Sequence, residues 1–162
     1  MRYRAVVITV SDKGSRGERE DTSGPQVRQI LEKEYDVREV VIVPDEESLI
    51  ADEMKRQIDE KGMDLVVTTG GTGVGPRDVT PEATRGVIEK ELPGFCEAMR
   101  MESFRITPFS LISRAVCGIR AKSIIVNLPG SPKAAAECFS FIAGALPHAL
   151  EKVKGDTGDC AG

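Results

Sequence analysis

Four short runs of apolar, largely β-branched residues, Arg4–Val10, Val37–Val43, Met63–Thr69 and Ser123–Leu128, limit the folds open to this chain more than any other feature. Runs of this length bounded by turn residues read as strands buried on both faces. Helical signals lie between them. Ser23 caps a helix with Pro25 in its first turn that runs to about Glu34, and a second opens at Pro44-Asp45 with Leu49, Ile50, Met54 and Ile58 at helical spacing until Gly62 stops it. Thr80 as cap and Pro81 at the first helical position start a third, with Val87 and Ile88 on its apolar face; Pro93-Gly94 ends it, and Phe95–Phe104 is helical again. Residues 107–120 read as a short helix and then a strand at Ala115–Ile119, and a final helix extends from Lys133 toward Val153 with a break or bend near Pro147. Strands alternating with helices predict an α/β fold of three layers, α/β/α, around a mostly parallel central sheet. No linker, repeat or low-complexity stretch divides the chain, so one domain is expected over residues 1–162, with a loose tail over about 155–162.

Composition excludes several classes. A formal charge of −4 and the lack of a basic arm or aromatic platform argue against nucleic-acid binding. No apolar run approaches the roughly 20 residues of a membrane span, and Met1-Arg2-Tyr3-Arg4 leads directly into a strand rather than a signal peptide, so a cytoplasmic protein is expected. Cys96, Cys117, Cys138 and Cys160 form no CxxC pair and the chain has one histidine, which argues against a zinc cluster. They read as reduced thiols, the first three as core filler, and His148 reads as a surface residue.

The chemistry lies in the loops after the strands, where open parallel sheets bind their ligands. Ser11-Asp12 and Asp21-Thr22-Ser23-Gly24 follow the first strand, Pro44-Asp45-Glu46 the second, and Pro129-Gly130-Ser131-Pro132-Lys133 the last. The third is followed by Gly70, Gly71, Thr72, Gly73 and Gly75, and then by Arg77-Asp78. Glycines let backbone N–H groups converge on a phosphate, arginine neutralises it, and carboxylates hold Mg²⁺. The loop is not a Walker A motif, because no Lys-Ser/Thr follows it. Plainer roles exist for single residues: Asp45 as a helix cap, Asp78 as a turn former, Arg114 as a solvated charge, Ser131-Pro132 as an ordinary helix opening.

Taken together and in order, Ser11-Asp12, Ser15-x-Gly17, Asp21-x-x-Gly24, Pro44-Asp45-Glu46, Thr69-Gly70-Gly71-Thr72-Gly73, Arg77-Asp78-Val79-Thr80-Pro81-Glu82-Ala83, Pro93-Gly94-Phe95, Ser113-Arg114 and Leu128-Pro129-Gly130-Ser131-Pro132-Lys133 resemble the molybdenum-cofactor biosynthesis proteins of the MogA/MoaB type, including the G domains of gephyrin and its plant counterpart. The likeness spans about residues 4–153. It implies an adenylyltransferase that joins the terminal phosphate of molybdopterin to the AMP part of ATP and releases pyrophosphate, with Mg²⁺ as cofactor and a separate enzyme inserting molybdate. It places the essential aspartates at Asp45 and Asp78, which are also the expected metal ligands, and links Ser113 to molybdopterin handling. The substrate-binding set then comprises Ser11, Asp12, Gly70, Gly71, Thr72, Gly73, Arg77, Ser113, Arg114, Pro129, Gly130, Ser131 and Lys133, with Arg77, Arg114 and Lys133 as candidates for the pterin-side phosphate. The same likeness suggests a homotrimer or a hexamer, with the apolar segment around Phe104–Leu111 as contact surface. The rival readings are a carrier that holds molybdopterin without adenylylating it, and an oligomeric scaffold.

Overall fold

The structure, a computed structural model, describes residues 1–158. Among these residues β1 (Arg4–Val10), β2 (Asp36–Val43), β3 (Leu65–Thr69), β4 (Lys90–Glu91), β5 (Cys117–Arg120) and β6 (Ser123–Leu128) form one sheet in the order β2-β1-β3-β6-β5-β4. The first four strands in that order run parallel, and β5 and β4 continue the sheet antiparallel. The central strands are apolar at consecutive positions because each face carries a helical layer. Ala5, Val7, Leu65, Val67, Ile124 and Val126 point into one core, and Val6, Ile8, Val66 and Ile125 into the other.

The first core is closed by α2 (Ser23–Leu31), α5 (Pro93–Phe104), α6 (Pro132–Ile142) and α7 (Leu146–Val153), which contribute Val27, Met99, Phe139 and Leu150 among others. The second is closed by α3 (Glu47–Lys55) and α4 (Thr80–Val87) through Ile50, Met54, Ala83 and Val87. Each fully buried Leu, Ile or Met adds roughly 1.5–3 kcal/mol, and Ile8, Ile50, Met54 and Leu146 are all 0% exposed. The three-layer α/β/α architecture expected from the sequence is the one found. Cys96, Cys117 and Cys138 are free and buried in the first core. Burial pushes the Cys96 thiol up to about 11, as suits apolar filler. Cys160 lies outside the described residues.

Element ends differ from the sequence reading for local reasons. A one-turn helix, α1 (Asp12–Ser15), sits inside the expected loop after β1, capped by Ser11 Oγ accepting from Gly14 N–H at 3.0 Å. Helix α3 starts at Glu47, so Asp45 lies outside it, and a wide π turn (Arg56–Glu60) extends it toward Gly62. Thr80 is the first residue of α4 rather than its cap, because its hydroxyl donates to Gly70 O at 2.9 Å instead. Residues 108–112 form a 3₁₀ turn capped by Thr107, and the expected strand over 115–119 begins at Cys117. The long final helix is two helices, separated at Ala143–Ala145, with Pro147 in the first turn of α7 where its missing N–H costs nothing. Gly155 and Asp156 donate their N–H groups back to the end of α7, so this part of the tail is held; residues 159–162 lie outside the description.

The strand order places the site. The chain runs from β1 to β2 on one side and returns to β3 on the other, so the loops leaving β1 and β3 part and open a crevice at their carboxyl ends.

Candidate functional site

A cleft of about 640 Å³ occupies that crevice, a size suited to a nucleotide. The ends of all four parallel strands reach it: Val10-Ser11 from β1, Asp45 from β2, Thr69-Gly70-Gly71 from β3 and Gly130-Ser131 from β6. Asp12 and Asp78 line it as well. The expected site residues Ser11, Asp12, Asp45, Gly70, Gly71, Asp78, Gly130 and Ser131 are thus brought together from the loops that follow these strands.

The two aspartates of greatest interest are held by backbone. Asp45 Oδ2 accepts from Asp12 N–H at 2.9 Å, while Asp45 N–H donates to Asp12 Oδ1 at 3.0 Å, a reciprocal pair that pins the loop after β2 to the loop after β1. This replaces the helix-cap role: α3 has no side-chain cap. Burial raises the Asp45 carboxyl above the usual range, with repulsion from Asp12 and Asp78 adding to it. Asp78 Oδ2 accepts from Gly75 N–H at 2.9 Å, so the turn-forming role is present alongside the cleft-lining one. Among the described residues neither Asp45 Oδ1 nor Asp78 Oδ1 has a hydrogen-bond partner.

The glycine loop is shaped by close approach. Gly70, at φ +101, donates its N–H to Leu128 O at 3.1 Å, and a Cβ there would sit 2.5 Å from Val10 O. Gly71, at φ +69, has no room for a Cβ beside Thr80 Oγ1 at 2.4 Å, and Asp45 Oδ1 would be 3.2 Å away. Only glycine supplies both the conformation and the space. Directly before the loop Thr69 Oγ1 donates to Pro129 O at 2.7 Å and meets Ser23 Oγ at 2.7 Å, which clamps the loops after β3 and β6 to the start of α2.

The expected cations are employed elsewhere. Arg77 grips Asp12 through two bonds of 3.1 and 3.0 Å and also reaches Glu46 at 3.1 Å. This pairing holds the Asp12 carboxyl below its usual range. Arg114 is neither a cleft residue nor a solvated charge. It donates to Gly73 O at 2.8 Å and Asp78 O at 2.7 Å and pairs with Glu82, drawing the glycine loop into shape. Lys133 is 85% exposed, with Glu137 4.0 Å away. His148 sits on α7 and lines neither this cleft nor its neighbour.

The remaining expected residues, Thr72, Gly73, Ser113 and Pro129, line a second, mainly apolar pocket of about 260 Å³ beside the cleft, walled by Met99, Ile106, Phe109 and Ile112. Asp21, Thr22 and Ser23, singled out in the sequence as part of a strand-end loop, line the main cleft, and so do Lys13, Arg19 and Glu20 of the same loop, which sequence reasoning missed. Charged residues in a surface loop carry no periodic signal that tells a wall from a solvated face.

The donor set fits a hard divalent cation. Asp45 and Asp78 each offer an oxygen without a protein partner, and Mg²⁺ is commonly held by one or two carboxylates plus substrate phosphates. Among the described residues no three His, Cys, Asp or Glu side chains are arranged to hold a metal, so substrate oxygens and water would complete the shell.

A parallel sheet whose glycine loop, paired aspartates and helix starts surround one crevice defines an α/β protein built to bind phosphate esters. More narrowly, the chain belongs to the family described as "Probable molybdopterin binding domain", which matches residues 6–148. A molybdopterin adenylyltransferase of Helicobacter pylori (strain J99) is 44% identical over 154 residues, spanning 93% of this chain and 87% of that protein. The molybdenum cofactor synthesis protein cinnamon of Drosophila melanogaster is 43% identical over 152 residues, 93% of this chain but 25% of the fly protein, so the chain spans a quarter of that relative. Among solved structures, the molybdopterin biosynthesis enzyme MoaB of Thermus thermophilus superposes with a TM-score of 0.90 at 45% identity, covering 95% of this chain and 98% of that one.

Proposed function

We propose that this chain is a molybdopterin adenylyltransferase of molybdenum cofactor biosynthesis. An oxygen of the terminal phosphate of molybdopterin attacks the α-phosphorus of ATP, the bond to the β-phosphate breaks, and pyrophosphate leaves with the electron pair. The observation that carries this reading is that Asp45 and Asp78, each with an unpartnered carboxylate oxygen, line the same cleft as Gly70, Gly71 and Ser131.

In this reading the protein's work is positioning and charge control, since both reactants are phosphates that repel each other. The nucleotide lies in the main cleft, its phosphates against the Gly70–Gly71 backbone and the start of α6, where helix N–H groups favour an anion. The neighbouring pocket takes the pterin, with Ser113, Thr72 and Gly73 at the shared wall. Asp45 and Asp78 hold Mg²⁺, which when bound neutralises charge on the polyphosphate. Arg77 and Arg114 act through the protein: the first anchors Asp12, and through it Asp45, while the second fixes the carbonyls of Gly73 and Asp78. No protein nucleophile is required. The enzyme works in the cytoplasm, and a separate enzyme inserts molybdate.

The test is a single-turnover assay with anaerobically prepared molybdopterin and Mg-ATP. Adenylylated pterin should form only with Mg²⁺ and fall by about 10²–10³-fold in Asp78→Asn, at an unchanged melting temperature. Asp45→Asn should lower turnover more than molybdopterin affinity. Tight binding of molybdopterin without product would leave the carrier reading instead.

A further inference from the structure

None of the three cations expected from the sequence to meet phosphate lines the cleft: Arg77 is bound to Asp12 and Glu46, Arg114 to Glu82 and two loop carbonyls, and Lys133 is 85% exposed. The walls of the cleft are acidic. Asp12, Glu20, Asp21, Asp45 and Asp78 line it against two basic side chains, Lys13 and Arg19. Asp12 is neutralised by Arg77, and Asp21 is tied down by Thr9 Oγ1 at 2.8 Å and Gly24 N–H at 3.0 Å. Such a surface repels a triphosphate unless positive charge is supplied where the phosphates lie, and one divalent cation offsets only part of the charge of a triphosphate.

Lys13 and Arg19 are placed to supply it. Both belong to the segment between β1 and α2, Lys13 on α1 and Arg19 in the loop beyond it. Both line the cleft, and among the described residues neither side chain makes a hydrogen bond or an ion pair. The same segment runs into the start of α2, whose Thr22 supplies no side-chain cap and also lines the cleft. Lys13 and Arg19 thereby form a basic stretch of the cleft lining on a different loop from the glycines, while the start of α2 beside them is already capped by Asp21, whose Oδ1 accepts from Gly24 N–H.

We propose that Lys13 and Arg19 are the residues that grip the β- and γ-phosphates of the nucleotide, and that they set its affinity and hold the departing pyrophosphate. This assignment rests on the adenylyltransferase reading for the identity of the nucleotide, but the wall's affinity for polyphosphate can be tested without it.

The experiment is calorimetric titration of the full chain with sodium tripolyphosphate in magnesium buffer, together with steady-state kinetics against Mg-ATP. Lys13→Ala and Arg19→Ala should each weaken tripolyphosphate binding and raise the KM for Mg-ATP by about tenfold. The KM for molybdopterin should hold, because neither residue lines the neighbouring pocket assigned to the pterin. Glu20→Gln, which removes a repelling charge from the same wall, should tighten tripolyphosphate binding, a gain that damage to the fold does not produce. Unchanged affinity in the Lys13→Ala/Arg19→Ala double variant, or no binding by the parent protein, overturns the inference. Binding that depends on Lys13 and Arg19 in a protein that never adenylylates molybdopterin keeps the wall and removes the enzyme reading. Turnover with an unaltered Mg-ATP KM in the double variant does the reverse.

Discussion

Asp45 is a residue whose placement serves the site at a cost to the fold. Burial raises its carboxyl pKa, and an acid with a raised folded-state pKa binds its proton more tightly folded than unfolded. Its charge therefore destabilises the folded protein above that pKa, and the penalty vanishes below the unfolded value of about 4. In metal-free buffer Asp45→Asn should raise the melting temperature at pH 7 by a degree or more, and the two melting curves should converge as the pH falls toward about 4. Asp12 has the opposite sign. Arg77 lowers its pKa, so its stabilisation is present above pH of about 4 and is lost as the pH falls through the folded value. Asp12→Asn should lower the melting temperature at pH 7. Thermal melts of both variants across pH 3–8 check the two signs. An aspartate at this spacing is visible in the sequence, but its environment is not. The helix-cap role open to Asp45 gives way because Asp12, distant in sequence, offers its backbone instead.

Between elements, the glycine loop is held from beneath by a buried polar network. Asn127 of β6 donates to Thr68 Oγ1 of β3 and to Thr84 Oγ1 of α4, both at 3.0 Å, and its Oδ1 accepts from Val116 N–H at 3.0 Å. Thr84 Oγ1 is 2.8 Å from Thr80 O, and Thr80 Oγ1 donates to Gly70 O. Strand, helix and loop are thereby locked in register with Asn127 at 0% exposure. Asn127→Leu would leave the Val116 N–H and the Thr68 hydroxyl without partners and should destabilise the protein by about 2–4 kcal/mol. Denaturant unfolding measures that loss, and a change below about 0.5 kcal/mol would assign the network no role in stability. In the sequence Asn127 is a single polar residue in an apolar run. The run predicts the strand correctly, but which partners would satisfy the amide depends on elements 11 to 59 residues away.

The molecule as a whole exposes Met101, Phe104, Ile106, Phe109, Leu111 and Ile112 together at the end of α5 and in the 3₁₀ turn after it, Phe109 at 76%. Exposed apolar residues concentrated in one segment mark a candidate contact surface, and Ile106, Phe109 and Ile112 of this segment also line the pocket assigned to the pterin. We expect a trimer or hexamer that covers it. Phe109→Lys with Leu111→Lys should shift sedimentation toward the monomer, and a parent protein that sediments as a monomer sinks the expectation. The fold class and the loops that matter are legible in the linear chain. Apolar runs with helical segments between them admit few arrangements other than a parallel sheet covered on both faces, and short-range glycine and proline signals mark where its strands end. The use of each charge is settled only when the chain folds. Arg77 and Arg114 become internal ties, while Lys13 and Arg19 become the wall of the cleft. The physical reason is that a charge acts on whatever lies within a few ångströms of it, and in this fold those neighbours come from loops up to 65 residues away along the chain.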